Sequence, residues 1–195
     1  MVAAAPLGRT VKSRTPQRIL TAVPICDGHD SAISTINLEF ARHGIEVIYL
    51  GYHCPASSIA RAAMQEDVHV IGISSYNGGH IVFFKEVVDQ LAVRGAHDIP
   101  VFGGGGGTIT PADERVMQRQ GTERIFYAGT PLNDIMALIK RDYHRELKPN
   151  TRLSGDRATA RAITLAEQNP SRRQSYVTRR KNGVQHSIVL GVAGP

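Results

Sequence analysis

The chain contains no tryptophan and only two cysteines, Cys26 and Cys54, in 195 residues. Two cysteines in a chain this long do not form a disulfide framework, and they read as free thiols in a reducing cytoplasm. A run of roughly 18 apolar residues is also missing, which excludes a membrane-spanning helix. Acids are missing from the first 18 residues, which hold Arg9, Lys12, Arg14 and Arg18. The apolar stretch Val2–Leu7 is too short for the hydrophobic region of a secretory signal. Residues 1–17 are therefore expected to be a disordered arm, with an organellar transit signal as the other reading of such a segment. The net charge of +6 is unevenly spread: residues 141–195 hold eleven Lys/Arg against four Asp/Glu, whereas residues 19–140 carry a net charge of −5. A nucleic-acid-binding domain concentrates positive charge on its folded surface, so this distribution argues against nucleic acid as a partner.

What is present is an alternation of short apolar runs with amphipathic stretches, in a chain that is 42% hydrophobic. Arg18–Cys26, Ile45–Leu50, His69–Ser75, Ile99–Phe102 and Arg124–Tyr127 read as strands. Between and after them, Ser31–His43, Pro55–Gln65, His80–Arg94, Pro111–Gln120 and Leu132–Arg145 read as helices. The apolar positions expected to face inward are Ile33, Ile36, Leu38 and Phe40 in the first helix, Ile59, Ala62 and Ala63 in the second, and Val82, Phe83, Val87, Val88 and Leu91 in the third. Strands alternating with helices predict βαβ units and a parallel sheet. The fold class is α/β, a flavodoxin-like five-stranded parallel sheet of order 2-1-3-4-5 with helices on both faces, over residues 18–146. Residues 147–186 are rich in Arg, Ser, Thr, Asn and Gln and read as a basic linker with a possible helix at Arg157–Gln168. Ser187–Val192 reads as one further strand, either disordered or prone to pairing with another chain.

Ligands of such sheets bind beyond the carboxyl ends of the strands, near the point where strand order reverses. That selects three loops: residues 26–31, 74–80 and 103–110. In the first, Asp27-Gly28-His29-Asp30-Ser31, a carboxylate two residues before a histidine could orient it as a metal ligand. Alternatively, Asp30 or Ser31 caps the next helix and His29 is merely exposed. In the second, Ser74-Ser75-Tyr76-Asn77-Gly78-Gly79-His80, small hydroxyls and paired glycines either admit a ligand to the backbone or form an ordinary turn. The third holds five glycines, Gly103–Gly107, then Thr108. It suits a large rigid group lying on bare backbone, or a phosphate, although no Gly-Lys-Ser/Thr follows.

Asp27-x-His29, Ser74-x-Tyr76 and the pair Gly106–Gly107 in three successive loops resemble the cobalamin-binding domain of adenosylcobalamin-dependent acyl-CoA mutases and of cobalamin-dependent methionine synthase. The family pattern is Asp-x-His-x-x-Gly, Ser-x-Leu, Gly-Gly; Ala32 and Tyr76 depart from it. Asp-Gly-His-Asp, Gln-Glu-Asp-Val, Ile-Ser-Ser-Tyr-x-Gly-Gly-His and the glycine run are similar, more narrowly, to the amino-terminal domain of the fused isobutyryl-CoA mutases. That resemblance implies that His29 is the lower axial ligand of cobalt, displacing the cofactor's own base, and that Asp27 orients it. It implies that Ser74 bonds the displaced base, that Gly106 and Gly107 leave room for the nucleotide tail, and that Tyr76, Gly78 and Gly79 lie near the corrin edge. Gly28, Asp30, Ser31, Ser75, Gly105 and Thr108 are expected to bind the cofactor beside them. It also implies partners: a TIM-barrel substrate domain, and a GTPase domain that alone binds GTP and Mg, with a homodimer in the full protein. Val-Leu-Gly-Val-Ala-Gly194-Pro195 resembles the strand entering a GTPase phosphate loop, so residues 187–195 are expected to open that domain.

Three other readings compete. A methyl-carrying corrinoid domain of a methyltransferase usually has a helical cap, for which too few residues precede the first strand. A zinc or iron site could use His29, His53, Cys54 and His80 with Asp27. A response-regulator-like module needs an acid at the end of strand three, where Ser74-Ser75 stands.

Overall fold

A computed structural model describes residues 16–29, 31–105 and 107–168. The arm before residue 16, Asp30, Gly106 and the segment 187–195 expected to form a strand lie outside the described residues. The elements are β1 (Arg18–Ala22), α1 (Ser31–Arg42), β2 (Glu46–Tyr49), α2 (Ala56–Gln65), β3 (Val70–Ser74), α3 (His80–Val93), β4 (Val101–Gly104), α4 (Pro111–Arg119), β5 (Arg124–Phe126), α5 (Leu132–Tyr143) and α6 (Gly155–Gln168). The five strands are parallel in the order β2-β1-β3-β4-β5, the flavodoxin-like arrangement. Among the described residues, no helix is long and apolar enough to cross a membrane.

Alternation along the central strands divides the core in two. Ile19, Val70 and Phe102 face α1 and α5, meeting Phe40, Ile135, Met136, Ile139 and Tyr143. Leu20, Ala22, Ile71, Ile73 and Val101 face α2, α3 and α4, meeting Ile59, Ala63, Phe84, Val87, Leu91 and Met117. Two residues read as inward are not: Leu38 is 62% exposed and Val82 74%. In each case a helical neighbour, Phe40 or Phe83 with Phe84, takes the inward position, and the stray apolar chain turns to solvent.

Strand ends also differ from the sequence reading. β1 stops at Ala22, four residues early; Pro24, lacking an N–H, makes only an isolated bridge with Cys54, and Cys26 is exposed. β4 runs two residues further than expected, so Gly103 and Gly104 are strand, not loop. The reason is packing: a Cβ on Gly103 would sit 2.3 Å from the ring of fully buried Phe84. Only the remainder of the glycine run is left for the loop.

The largest difference lies after α5. The segment read as a linker carries α6, which starts two residues earlier than expected and docks against the domain through two buried arginines. Arg157 grips Asp98, with both carboxylate oxygens 2.7 Å from Nη2, and donates to Gly95 O at 2.9 Å. Arg161 binds Asp67 through Nε (2.7 Å) and Nη2 (2.9 Å), and Lys148 O through Nη1 (2.9 Å).

His69, buried just before β3, gives this lower edge a pH dependence. Its Nδ1 accepts the Arg18 N–H at 3.0 Å and its Nε2–H donates to Arg145 O at 3.1 Å, which fixes the neutral ring. Burial pushes its pKa down to about 4 from 6.5, with the charges of Arg145 and His144 acting the same way. A depressed histidine contributes stability above its unfolded pKa and loses it as pH falls. Unfolding free energy should therefore drop by about 3 kcal/mol between pH 6.5 and 4, at about 1.4 kcal/mol per pKa unit. Urea titrations across that window should show the loss in the wild type and a shallower slope in His69→Asn.

A histidine site at the carboxyl edge of the sheet

The loops at the carboxyl ends of β1, β3 and β4 converge on Asp27. Its side chain is fully buried, although it stands in a loop. Oδ1 accepts the backbone N–H of His29 at 3.0 Å and the ring Nδ1–H of His29 at 2.8 Å. Oδ2 accepts the backbone N–H groups of Tyr76, in a short contact, and of Asn77, at 3.1 Å. Burial acts to raise the Asp27 pKa, but the N–H donors of Tyr76, His29 and Asn77 outweigh it and hold the carboxyl below its ordinary value. The group is thus a carboxylate, and a carboxylate can only accept, so the hydrogen facing it is on His29 Nδ1 and the lone pair of the neutral ring is on Nε2. The His29 side chain is 60% exposed.

One carboxylate therefore orients the imidazole and also ties the β1 loop to the β3 loop. Asn77 doubles the tie, its Nδ2 donating to Cys26 O at 2.5 Å. The ring of Tyr76 stands 4.6 Å from that of His29 at 35°, beside the imidazole and half exposed. His53, at a left-handed φ of 57°, bonds Ile25 O through Nδ1 at 3.0 Å and backs Gly28. From the sequence Asn77 had no role, and His53 had one only in the rival zinc or iron set. Asparagine's capacity to bond neighbouring backbone was the available signal for Asn77; nothing local marked His53.

Around His29 the rim is bare backbone. Gly28, Gly78, Gly79 and Gly107 are exposed, and a Cβ at Gly78 or Gly107 would meet nothing within 4 Å. Gly107 also has φ +93°, a conformation suited to glycine. Gly105 differs: a Cβ there would lie 2.2 Å from Ser75 O, so its smallness serves the contact between the β3 and β4 ends. Ser74 closes β3 opposite Gly104. By alternation both lie on the α1/α5 side, where small residues leave that end of the sheet uncrowded. Ser75 is buried, with its hydroxyl 3.5 Å from Asn77 O. Thr108 carries a buried hydroxyl with no hydrogen-bond partner, a group that a polar ligand would satisfy. Ser31 is exposed at the start of α1.

The zinc or iron set read from the sequence is not assembled. Among the described residues, no group of three or more His, Cys, Asp or Glu is placed to hold a metal ion. Cys54 is buried with its thiol turned to Leu50 O, and His80 Nε2 faces Asp113. A single oriented imidazole nitrogen in an open, glycine-lined edge matches a metal that arrives with its other ligands already attached, as in a corrin.

Comparison with known proteins agrees. A sequence profile described as B12 binding domain matches residues 17–130. The chain is 44% identical over 109 residues to the fused isobutyryl-CoA mutase of Cupriavidus metallidurans, a match covering 56% of this chain and 10% of that protein. It is 36% identical over 165 residues to the fused isobutyryl-CoA mutase of Nocardia farcinica, covering 79% and 15%. It is 31% identical over 127 residues to the 2-hydroxyisobutanoyl-CoA mutase small subunit of Aquincola tertiaricarbonis, covering 65% of this chain and 92% of the subunit. The chain thus spans about a tenth of the length of the fused mutases first matched. Among solved structures, a cobalamin-binding protein from Desulfitobacterium hafniense superposes with a TM-score of 0.56 at 25% identity, covering 65% of this chain and 59% of that one. The chain belongs to the B12-binding domain family and is homologous to the cobalamin domain of acyl-CoA mutases.

Proposed function

We propose that this domain holds adenosylcobalamin with the cofactor's own base displaced and His29 Nε2 on the cobalt, as the cofactor-carrying part of a mutase that interconverts isobutyryl-CoA and n-butyryl-CoA. The observation that carries the reading is the Asp27–His29 pair: a buried carboxylate accepts from Nδ1 at 2.8 Å, so the remaining lone pair belongs to Nε2 on an exposed edge. Gly28, Asp30, Ser31, Tyr76, Gly78 and Gly79 would border the corrin. Ser74 and Ser75, with Gly105, Gly106, Gly107 and Thr108, would receive the base and its nucleotide tail. The bare rim at Gly78 and Gly107 and the unsatisfied Thr108 hydroxyl support that assignment.

When bound, the cofactor supplies homolytic cleavage of its cobalt–carbon bond, the start of a carbon-skeleton rearrangement. The work of this chain is to hold and orient. Asp27 keeps a proton on Nδ1 and so keeps Nε2 available; the glycines let a wide planar group approach the backbone. Substrate binding and exclusion of water from the reacting centre belong to a TIM-barrel domain of the same or a partner chain. GTP and Mg belong to a GTPase domain, the full protein being a cytoplasmic homodimer. The 195-residue chain by itself binds cofactor and turns over no acyl-CoA.

The test is the electron paramagnetic resonance of the protein with cob(II)alamin, prepared with ordinary and with 15N-labelled histidine. Unpaired density on cobalt couples to the one axial nitrogen. The superhyperfine pattern should change from triplet to doublet when histidine is labelled. A pattern indifferent to the label means that the axial nitrogen is not a histidine and overturns the reading.

A further inference from the structure

His80 opens α3, where side chains ordinarily face solvent, yet it is 5% exposed. Its Nδ1 lies 3.3 Å from Asn77 O. Its Nε2 lies 3.4 Å from Asp113 Oδ2 but is too poorly aligned to count as hydrogen-bonded. Asp113 is the third residue of the α4 capping box, where its Oδ2 accepts from Thr110 N at 2.9 Å and from Thr110 Oγ1 at 2.7 Å. On the other side, Asn77 N donates to Asp27 Oδ2, and Asp27 Oδ1 accepts from His29. The contacts run from His29 through Asp27, Asn77 and His80, and across the unaligned 3.4 Å approach to Asp113, to Thr110, crossing all three loops of the site.

The weak link is His80 Nε2. Both ring nitrogens face acceptors, Asn77 O and Asp113 Oδ2, so His80 bonds both only with an N–H on each nitrogen, and a small movement of Asp113 would align the second bond. The movement needed is of the start of α4, which begins three residues after Thr108, one of the residues assigned above with Gly107 to the nucleotide tail.

We propose that His80 is a positioning residue coupling the glycine loop to cobalt ligation: the tail, seated against Gly107 and Thr108, draws Asp113 onto His80 Nε2–H, and the ring, then donating from both nitrogens, tightens its contact with Asn77 O and firms the Asp27–His29 pair. This rests on the cobalamin reading. Recognition of the tail and ligation by His29 are then cooperative rather than independent.

The test compares cobalamin with cobinamide, which has the same corrin without the nucleotide tail. Spectral titrations of the full chain are made for the wild type, His80→Ala, His80→Gln, Asp113→Asn and His29→Ala. In the wild type cobalamin should bind more tightly than cobinamide. In His80→Ala that advantage should shrink about tenfold, the scale typical of partners behind a metal ligand, and the histidine-ligated fraction at saturation should fall. His80→Gln, whose amide nitrogen reaches the position of Nε2, should restore part of both. Asp113 is a quarter exposed at a helix end, so Asp113→Asn should reduce the cobalamin advantage even where His80→Ala folds poorly. Equal weakening of both ligands, with their ratio and the spectrum at saturation unchanged, would mean a merely structural His80 and overturns the coupling. A wild-type spectrum insensitive to His29→Ala removes the cobalamin reading itself, which is a different failure.

Discussion

His29→Ala should leave a folded protein whose cobalamin spectrum carries no sign of a protein nitrogen and whose affinity for the cofactor falls by at least the roughly 10–100-fold that loss of a partner behind a metal ligand costs. The fold should hardly notice. The His29 ring is largely exposed, and three of the four donors to Asp27 are backbone N–H groups of His29, Tyr76 and Asn77, all of which survive the substitution. The lost Nδ1 bond leaves Asp27 still paired, so the thermal midpoint should move by the equivalent of about 1 kcal/mol or less. Absorption spectra, retention on desalting and a melting curve test this together. Added imidazole should restore a nitrogen-ligated spectrum, since the substitution leaves a gap beside an intact carboxylate. Unchanged spectra in the variant would remove His29 as the ligand.

Arg161→Ala should cost about 3–5 kcal/mol, read as a lowered urea midpoint. The arginine is 8% exposed and its partner Asp67 only 3%. Asp67 has few alternatives: it sits at a left-handed φ of 49° in the turn between α2 and β3, fixed in place by the backbone on either side. Deleting the guanidinium strands a buried carboxylate and frees Lys148 O as well. Arg161→Met fills the space but leaves the charge, so it should be nearly as harmful. Combined with Asp67→Asn it should recover much of the loss, because removing both charges of a buried pair costs far less than removing one. A single-variant loss under about 1 kcal/mol would show that α6 contributes little to the domain.

The sheet was legible because its signals are local: apolar runs of strand length, Gly44 at a positive φ where the first helix stops, and proline at the start of α4. Strand ends were less so. Gly103 looked like a loop residue by composition, and its place in β4 follows from Phe84, nineteen residues earlier, which needs the space. The helix at residues 157–168 was legible but its docking was not, for a related reason. Arginine on a helix reads as a solvated face, and only the partners Asp67 and Asp98, far back in the chain, make Arg157 and Arg161 interior residues. At the site, the spacing of Asp27 and His29 suggested the pair, since two residues of loop bring the carboxylate to the ring. Asn77, His53 and the His80–Asp113 contact were hidden because each joins segments that the fold alone brings together.

The two arginine clasps of α6 lie toward the amino-terminal edge of the sheet, and the histidine site lies at the carboxyl edge, a strand's length of about 17 Å away. Substitutions separated by that distance, with no shared partners, combine additively. The lower edge can therefore accumulate changes while the upper edge keeps the Asp27–His29 pair in register. Such independence lets natural variation rework one end of the domain without rediscovering the geometry of the other.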